Sequence, residues 1–108
     1  MTPKERITSL IVSMGYTVSA CSEKADLITT LFYRSDHIYQ LECFTGDWDR
    51  IWLWGAAHDD DWDHSEAGRS VGILLPLKMH SLDRVSDADL QRHLSEAISK
   101  CDAAQIEH

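Results

Sequence analysis

The sequence predicts an α+β domain, in which an antiparallel meander of four to five strands is flanked by an N-terminal and a C-terminal helix packed on one sheet face. Three observations lead to this prediction. Apolar residues recur at helical spacing near both ends of the chain. The segment between them alternates apolar and polar residues, as half-buried strands do. Short turn-like breaks separate its strand-like runs, which indicates antiparallel pairing of consecutive strands.

The N-terminal helix has a start signal, an apolar stripe and a stop signal. Thr2 and Glu5 form a capping box, with Pro3 at the first helical position. Gly15 is typical of a helix end. The stripe between these signals consists of Ile7, Leu10, Ile11 and Met14.

The central segment contains runs rich in β-branched and aromatic residues. We expect strands over residues 16–21, 27–34, 37–44 and 50–58, with a further strand over 71–75. Pro76 at the end of the last run favours a position at the sheet edge.

The C-terminal helix is predicted to start after Ser86, whose side chain is a suitable N-cap. Asp87 and Asp89 favour the positive end of the helix dipole, and Val85 can pack on Leu90. The apolar stripe comprises Leu90, Leu94, Ala97, Ile98 and Cys101, with His93 at its edge. We expect residues 1–108 to form a single domain, with 102–108 as a fraying tail.

The charge balance narrows the class of partner. Eighteen acidic residues against ten basic ones give a net charge of −8. Such a field repels nucleic acid and anionic membranes and attracts basic proteins, so we expect neither direct nucleic-acid binding nor membrane association. No apolar run approaches the roughly 20 residues of a membrane span. The three widely spaced cysteines and the absence of a signal-peptide pattern favour a reducing, cytoplasmic location.

The densest cluster of polar side chains lies between the fourth and fifth predicted strands. Asp59, Asp61 and Asp63 match the first ligand positions of an EF-hand loop, but His64 and Ser70 occupy the positions that require glycine and glutamate. We therefore predict no resident metal. A looser site using His58, His64 and Asp61 is the alternative.

The same region concentrates charge and tryptophan. From Asp47 to Glu66 there are seven acids and a single base, Arg50. All four tryptophans lie in or beside this segment. Exposed tryptophan is common at binding hot spots, and acidic residues beside it favour arginine and lysine of a partner. The predicted partner-binding residues are Asp47, Trp48, Asp49, Trp52, Trp54, Asp59, Asp60, Asp61, Trp62, Asp63 and Glu66.

The fourth strand predicts a second apolar sheet face. Trp52 and Trp54 share one face of the strand, and Ile51 and Leu53 share the other. If helices cover only one face, one of these pairs is left on the uncovered face. The sequence leaves open which pair that is, and whether the uncovered face binds a partner or forms a homodimer.

No phosphate loop, nucleophile elbow or paired metal-ligand motif occurs in the chain. We therefore predict a non-enzymatic binding protein without a cofactor. In its size, its charge of −8 and its acidic segment from Asp59 to Glu66 it resembles small inhibitors from mobile elements, namely anti-CRISPR proteins, and also toxin-immunity proteins. That resemblance implies a protein that occupies a basic nucleic-acid-binding surface of its target. The alternatives are a metal-binding protein or metal-dependent enzyme using the His58–Glu66 loop, and a homo-oligomeric structural module.

Overall fold

The computed structural model describes residues 2–35, 37–57 and 71–107. Its elements in chain order are α1 (Pro3–Ser13), β1 (Thr17–Lys24), β2 (Leu27–Arg34), β3 (His37–Phe44), β4 (Arg50–Ala57), β5 (Val71–Leu74), a 3₁₀ helix (Met79–Arg84) and α2 (Asp87–Glu107). The strands form one sheet in the order β1-β2-β3-β4-β5, and each neighbouring pair is antiparallel. The predicted α+β meander with a helix at each end is confirmed, including its fifth strand.

Helix α1 begins and ends as its local sequence predicts. The Thr2 hydroxyl accepts a hydrogen bond from the Glu5 backbone N–H at 3.2 Å. The chain leaves the helix through Gly15, whose φ of 96° is the left-handed conformation that glycine adopts without strain. Ile7 and Ile11 are buried in the core. The helix therefore packs through its apolar stripe.

The strand bounds are close to those predicted from the sequence. β2 and β3 have the predicted bounds, whereas β1 continues to Lys24 and leaves only Ala25 and Asp26 as the turn into β2. A bulge between Val18 and Ala20 interrupts the pairing of β1 with β2. At the other edge, the Leu75 N–H donates to the Ile51 carbonyl at 2.9 Å, just beyond β5.

The core lies between one face of the sheet and the two helices. In β4 the alternate residues Ile51 and Leu53 are buried, and their cross-strand partners Cys43 and Leu41 are buried with them. The helices contribute apolar residues to the same cluster: Ile7, Ile11, Leu90, Leu94, Ala97, Ile98 and Cys101. This arrangement answers the question that the sequence left open, because Ile51 and Leu53 face the helices and Trp52 and Trp54 face the opposite side.

Helix α2 starts as predicted and is longer than predicted. The Ser86 hydroxyl caps it by accepting a hydrogen bond from the Asp89 N–H at 3.1 Å. The helix runs to Glu107 and so includes most of the tail that we expected to fray from Asp102. No helix in the described part of the chain is both long and apolar enough to cross a membrane.

The 3₁₀ helix was not predicted, since its six residues are too few to show a helical period. Arg6 of α1 fixes it in place. The guanidinium pairs with the Asp87 carboxylate at 2.8 Å and donates to the backbone carbonyls of Leu82, at 2.8 Å, and Val85. One side chain thereby joins α1, the 3₁₀ helix and the start of α2.

Candidate functional site

The sheet face opposite the helices is apolar, and we call it the open face. Cross-strand pairing places Trp52 beside Glu42 and Leu74, and Trp54 beside Gln40 and Gly72. Among the described residues, both helices lie on the other side of the sheet. The open face comprises Thr17, Ala20, Ser22, Lys24, Leu27, Thr29, Leu31, Tyr33, Ile38, Gln40, Glu42, Phe44, Arg50, Trp52, Trp54, Gly72 and Leu74.

Two stacked indoles occupy the middle of the open face, and we call them the indole platform. The rings of Trp52 and Trp54 lie 5.7 Å apart between centroids with an angle of 20° between their planes. The Trp54 Nε1–H donates to Glu42 Oε1 at 2.6 Å. The Trp52 Nε1–H is buried and has no acceptor within the described chain, so Trp52 is held by stacking and packing.

Gly72 allows the Trp54 ring to pack directly against the backbone of β5. A Cβ atom at position 72 would lie 2.5 Å from Trp54 Cζ3, and side-chain atoms essentially never approach so closely. Trp54 and Gly72 are cross-strand partners, so the indole crosses the neighbouring strand where that strand has no side chain. Glu42 and Gly72 together determine the orientation of the ring.

Glu42 is a buried carboxylate on the central strand of the sheet. Only 7% of its surface is accessible, whereas Gln40 and Phe44, its neighbours on the same face of β3, are both partly exposed. Burying a carboxylate costs free energy unless hydrogen bonds replace its lost hydration. The charge-assisted bond from Trp54 supplies part of that replacement. Glu42 therefore stabilises a particular side-chain arrangement on the open face.

The β3–β4 turn carries the most exposed of the described tryptophans. Trp48 is 57% exposed and packs on Phe44 with ring centroids 4.6 Å apart. The Thr45 N–H donates to the Asp26 carbonyl at 2.9 Å, which anchors the turn to the β1–β2 turn. Asp47 is exposed in the same turn. Of the predicted binding residues, Asp47 and Trp48 thus lie at the end of the open face.

Asp49 points away from this surface and has a structural role. It adopts a φ of 44° and accepts hydrogen bonds from His80 through the backbone N–H at 3.1 Å and through Nδ1 at 2.9 Å. The pKa of Asp49 lies below its usual value. Partial burial alone would raise it, but the hydrogen bonds from His80 and the attraction of its positive charge outweigh that effect. The pair ties the β3–β4 turn to the 3₁₀ helix.

The charged residues of the described open face are few and of both signs. Lys24 at the end of β1 and Arg50 in β4 lie in the same cross-strand row as Phe44, and Glu42 lies in the next row. The Arg50 guanidinium donates to the Asp49 carbonyl at 3.1 Å. The expectation of indoles ringed by acids is therefore not met by the described part of this face, which is mainly apolar.

The remaining predicted positions lie outside the described residues. They are the partner-binding candidates Asp59, Asp60, Asp61, Trp62, Asp63 and Glu66 and the metal-ligand candidates His58, His64 and Asp61. Within residues 2–35, 37–57 and 71–107, no group of three or more His, Cys, Asp or Glu side chains could hold a metal ion.

Three titratable side chains of the core have raised pKa values. Burial raises the pKa of the Cys43 and Cys101 thiols to about 12, which opposes formation of the nucleophilic thiolate. Burial, followed by the hydrogen bond that its hydroxyl donates to Asp102 Oδ1 at 2.6 Å, also raises the pKa of Tyr39. The contacts of Tyr39 with Asp102 and of Cys101 with the Leu53 carbonyl join the sheet to α2.

A groove of about 500 Å³ lies between the N-terminus of α1 and the 3₁₀ helix. Arg6 lines it, but Asp87 and two backbone carbonyls already bind its guanidinium. The open face remains the better candidate for a binding site.

Comparison with known proteins identifies no relative: no protein-family model, curated protein or solved structure matches this chain. Sequence reasoning found Trp52 and Trp54 but missed Glu42 and Gly72. A glycine inside a strand pattern indicates close approach by another group, and this signal could have identified Gly72.

Proposed function

We propose that this chain is a non-enzymatic binding protein that docks on a basic protein through its open face. The observation that carries the proposal is the indole platform, which lies at the centre of an apolar sheet face away from both described helices. Apolar aromatic residues in the middle of a surface, surrounded by polar ones, are typical of protein interfaces.

The dimensions of the open face fit such an interface. Five strands about 4.8 Å apart, with residues spaced about 3.4 Å along them, give a surface of roughly 20 by 25 Å. Its projected area is on the order of 500 Å², the greater part of the ~800 Å² that one partner buries in an interface of standard size. The exposed Trp48 and Leu74 extend the apolar surface at its margins.

The net charge of −8 favours a basic partner over a second copy of the chain. Long-range attraction would speed association, and the apolar centre would slow dissociation. A basic protein surface is commonly one that handles nucleic acid. We propose that the chain occupies such a surface and blocks access of nucleic acid to it, as the resemblance to anti-CRISPR proteins implies.

A matched pair of surface variants tests the location of the binding site. Leu74 on the open face is 46% exposed, and Val12 on α1 is 54% exposed. Changing either residue to asparagine removes similar apolar area without disturbing the core. The wild-type chain and both variants would each be immobilised on a resin and incubated with a bacterial lysate at low salt. The captured proteins would then be eluted with a salt gradient.

The wild-type chain and Val12→Asn are expected to retain the same basic protein, and Leu74→Asn is expected to lose most of it. The purified partner should then release bound nucleic acid when the chain is added. Equal recovery by both variants would place the site elsewhere. Concentration-dependent dimerisation that Leu74→Asn abolishes, measured by sedimentation, would instead assign the open face to self-association.

Charge reversal tests the electrostatic part of the proposal separately. The double substitution of Asp60 and Asp61 by lysine removes part of the acidic segment and should lower the association rate at low salt. The dissociation rate should change less, because the apolar contacts remain. An association rate that responds to neither salt nor substitution would refute electrostatic steering.

A further inference from the structure

The β3–β4 turn presents one tryptophan to solvent on an aromatic support. Trp48 is 57% exposed, and it packs on Phe44 with ring centroids 4.6 Å apart. Its Nε1–H has no acceptor in the described part of the chain. Phe44 belongs to the open face, so Trp48 continues the proposed interface with apolar area and one unused hydrogen-bond donor.

Asp49, the next residue, fixes the turn that carries Trp48. Its φ of 44° lies in the left-handed region, which residues with a Cβ atom rarely adopt. His80 donates two hydrogen bonds to its carboxylate, at 3.1 Å from the backbone N–H and at 2.9 Å from Nδ1. The Asp49 N–H donates in turn to the Gly46 carbonyl at 3.1 Å. A neighbouring ring held by such a turn loses little conformational freedom on binding, which favours it as a contact residue.

The charges beside Trp48 do not select a partner by their sign. Asp26 and Asp47 are exposed in the β1–β2 and β3–β4 turns. Lys24 and Arg50 lie at the strand ends that adjoin these turns, so both signs are present. The free part of one indole amounts to roughly 100 Å², too little to hold two copies of a chain of charge −8 together. An apolar fit to a different protein is the contact that suits this ring.

We propose that Trp48 anchors the interface by inserting into an apolar pocket of the partner, an inference that rests on the proposed function. Aromatic side chains that enter well-packed pockets carry much of the binding energy of protein interfaces. The pocket supplies apolar walls for the ring and an acceptor for its N–H, since burying that donor without one costs free energy. Asp49 is a positioning residue, because it acts on the partner only through the turn.

Substitutions of Trp48 test the anchor with the protein that the wild-type chain retains from a bacterial lysate. That protein would be purified, and its affinity for each full-length variant would be measured by surface plasmon resonance. Trp48→Ala removes the ring and should weaken binding about thirtyfold or more. Trp48→Phe keeps an apolar ring without the donor and should weaken binding about threefold to tenfold. Val12→Ala is the control, because Val12 is 54% exposed but lies on α1, and it should change the affinity by less than about twofold.

Two substitutions of Asp49 test the positioning of the ring. Asp49→Gly accepts the left-handed backbone without strain but loses both bonds from His80, whereas Asp49→Asn keeps an oxygen for the His80 N–H. Asp49→Gly should increase the motion of the Trp48 indole N–H in NMR relaxation and weaken binding about threefold to tenfold. Asp49→Asn should restore most of both. A purely structural role of Asp49 would lower stability and leave the Trp48 relaxation and the affinity unchanged.

Equal binding by Trp48→Ala and Val12→Ala would overturn the inference, and if Trp48→Ala fails to fold, Trp48→Phe decides by the same readout. Binding to phosphatidylcholine vesicles that requires Trp48 would also overturn it, since a membrane would then cover the ring. Loss of the partner by Leu74→Asn but not by Trp48→Ala would keep the proposed function and reject the anchor. The reverse result would keep the anchor and move the binding site from the open face to the turn. A wild-type chain that retains no protein would refute both.

Discussion

Replacing Gly72 by alanine should break the contact that orients the Trp54 ring. The added Cβ would lie 2.5 Å from Trp54 Cζ3 and 2.8 Å from Cε3 and Cη2. Carbon atoms in favourable contact are about 3.5–4.0 Å apart, so the ring must move by about 1 Å. Glu42 and Gly72 lie on the strands on either side of β4, so a movement of that size would distort the 2.6 Å hydrogen bond from Trp54 to Glu42.

The expected cost follows from the bond that is lost. A hydrogen bond to a charged group contributes about 1.5–3 kcal/mol, whereas removing a glycine from a strand returns about 0.5–1 kcal/mol of conformational entropy. Gly72→Ala should therefore lower the free energy of unfolding by about 1–2 kcal/mol. For a domain of this size, that change corresponds to a fall in Tm of about 5–10 °C.

Guanidinium denaturation, followed by tryptophan fluorescence, measures this loss. Gly46→Ala is the matched control, because its Cβ would lie 3.0 Å from the exposed side chain of Asp26, which can swing into solvent. A cycle with Glu42→Gln assigns the mechanism: Gly72→Ala should cost less when Glu42 no longer carries a charge. Unchanged stability together with an unmoved Trp54 indole N–H signal would refute the reasoning.

Three further predictions concern the core and the links between elements. Leu53→Ala, at a fully buried position of β4, should cost about 2–5 kcal/mol in denaturant unfolding, with an unchanged m-value. Tyr39→Phe removes the hydrogen bond to Asp102. Because folding raises the pKa of Tyr39 above 10.0, the neutral hydroxyl stabilises the wild-type fold fully below pH 10.0, and this stabilisation is lost as the pH rises further. Alkaline unfolding should therefore show a stability difference between wild type and variant that shrinks above pH 10.0. His80→Ala should move acid unfolding to higher pH. The His80 contacts lower the pKa of Asp49 in the folded state, so they stabilise the fold at pH values above 3.8, and this stabilisation is lost as the pH falls below 3.8.

Local patterns predicted most of the fold because each element carries its own signals. The cap at Thr2, the glycine at 15 and the N-cap at Ser86 each act within a few residues, and the structure confirms all three. The alternation of β4 correctly separated Ile51 and Leu53 from the tryptophans. Such signals are local in sequence, so no knowledge of distant contacts was needed.

The candidate site depended on contacts that local patterns do not encode. Glu42 looks like an ordinary solvent-facing residue of an alternating strand, and only the register of β3 with β4 brings it to Trp54. The contact between Asp49 and His80 joins residues 31 positions apart. The sequence thus indicated which residue types mattered, but it could not indicate which of them meet.

Alternation along β4 divides the strand between two roles. Leu53 packs against the helices and stabilises the fold, while its neighbours Trp52 and Trp54 add apolar surface on the other side. The fold alone does not require two tryptophans there, because threonine or valine would suit a half-exposed strand. An apolar sheet face on the side away from both described helices is the feature that supports the proposed partner-binding role. Glu42 supports the same interpretation. Its buried carboxylate fixes the orientation of the Trp54 ring, and a surface that only had to bury apolar area would not need a fixed ring orientation.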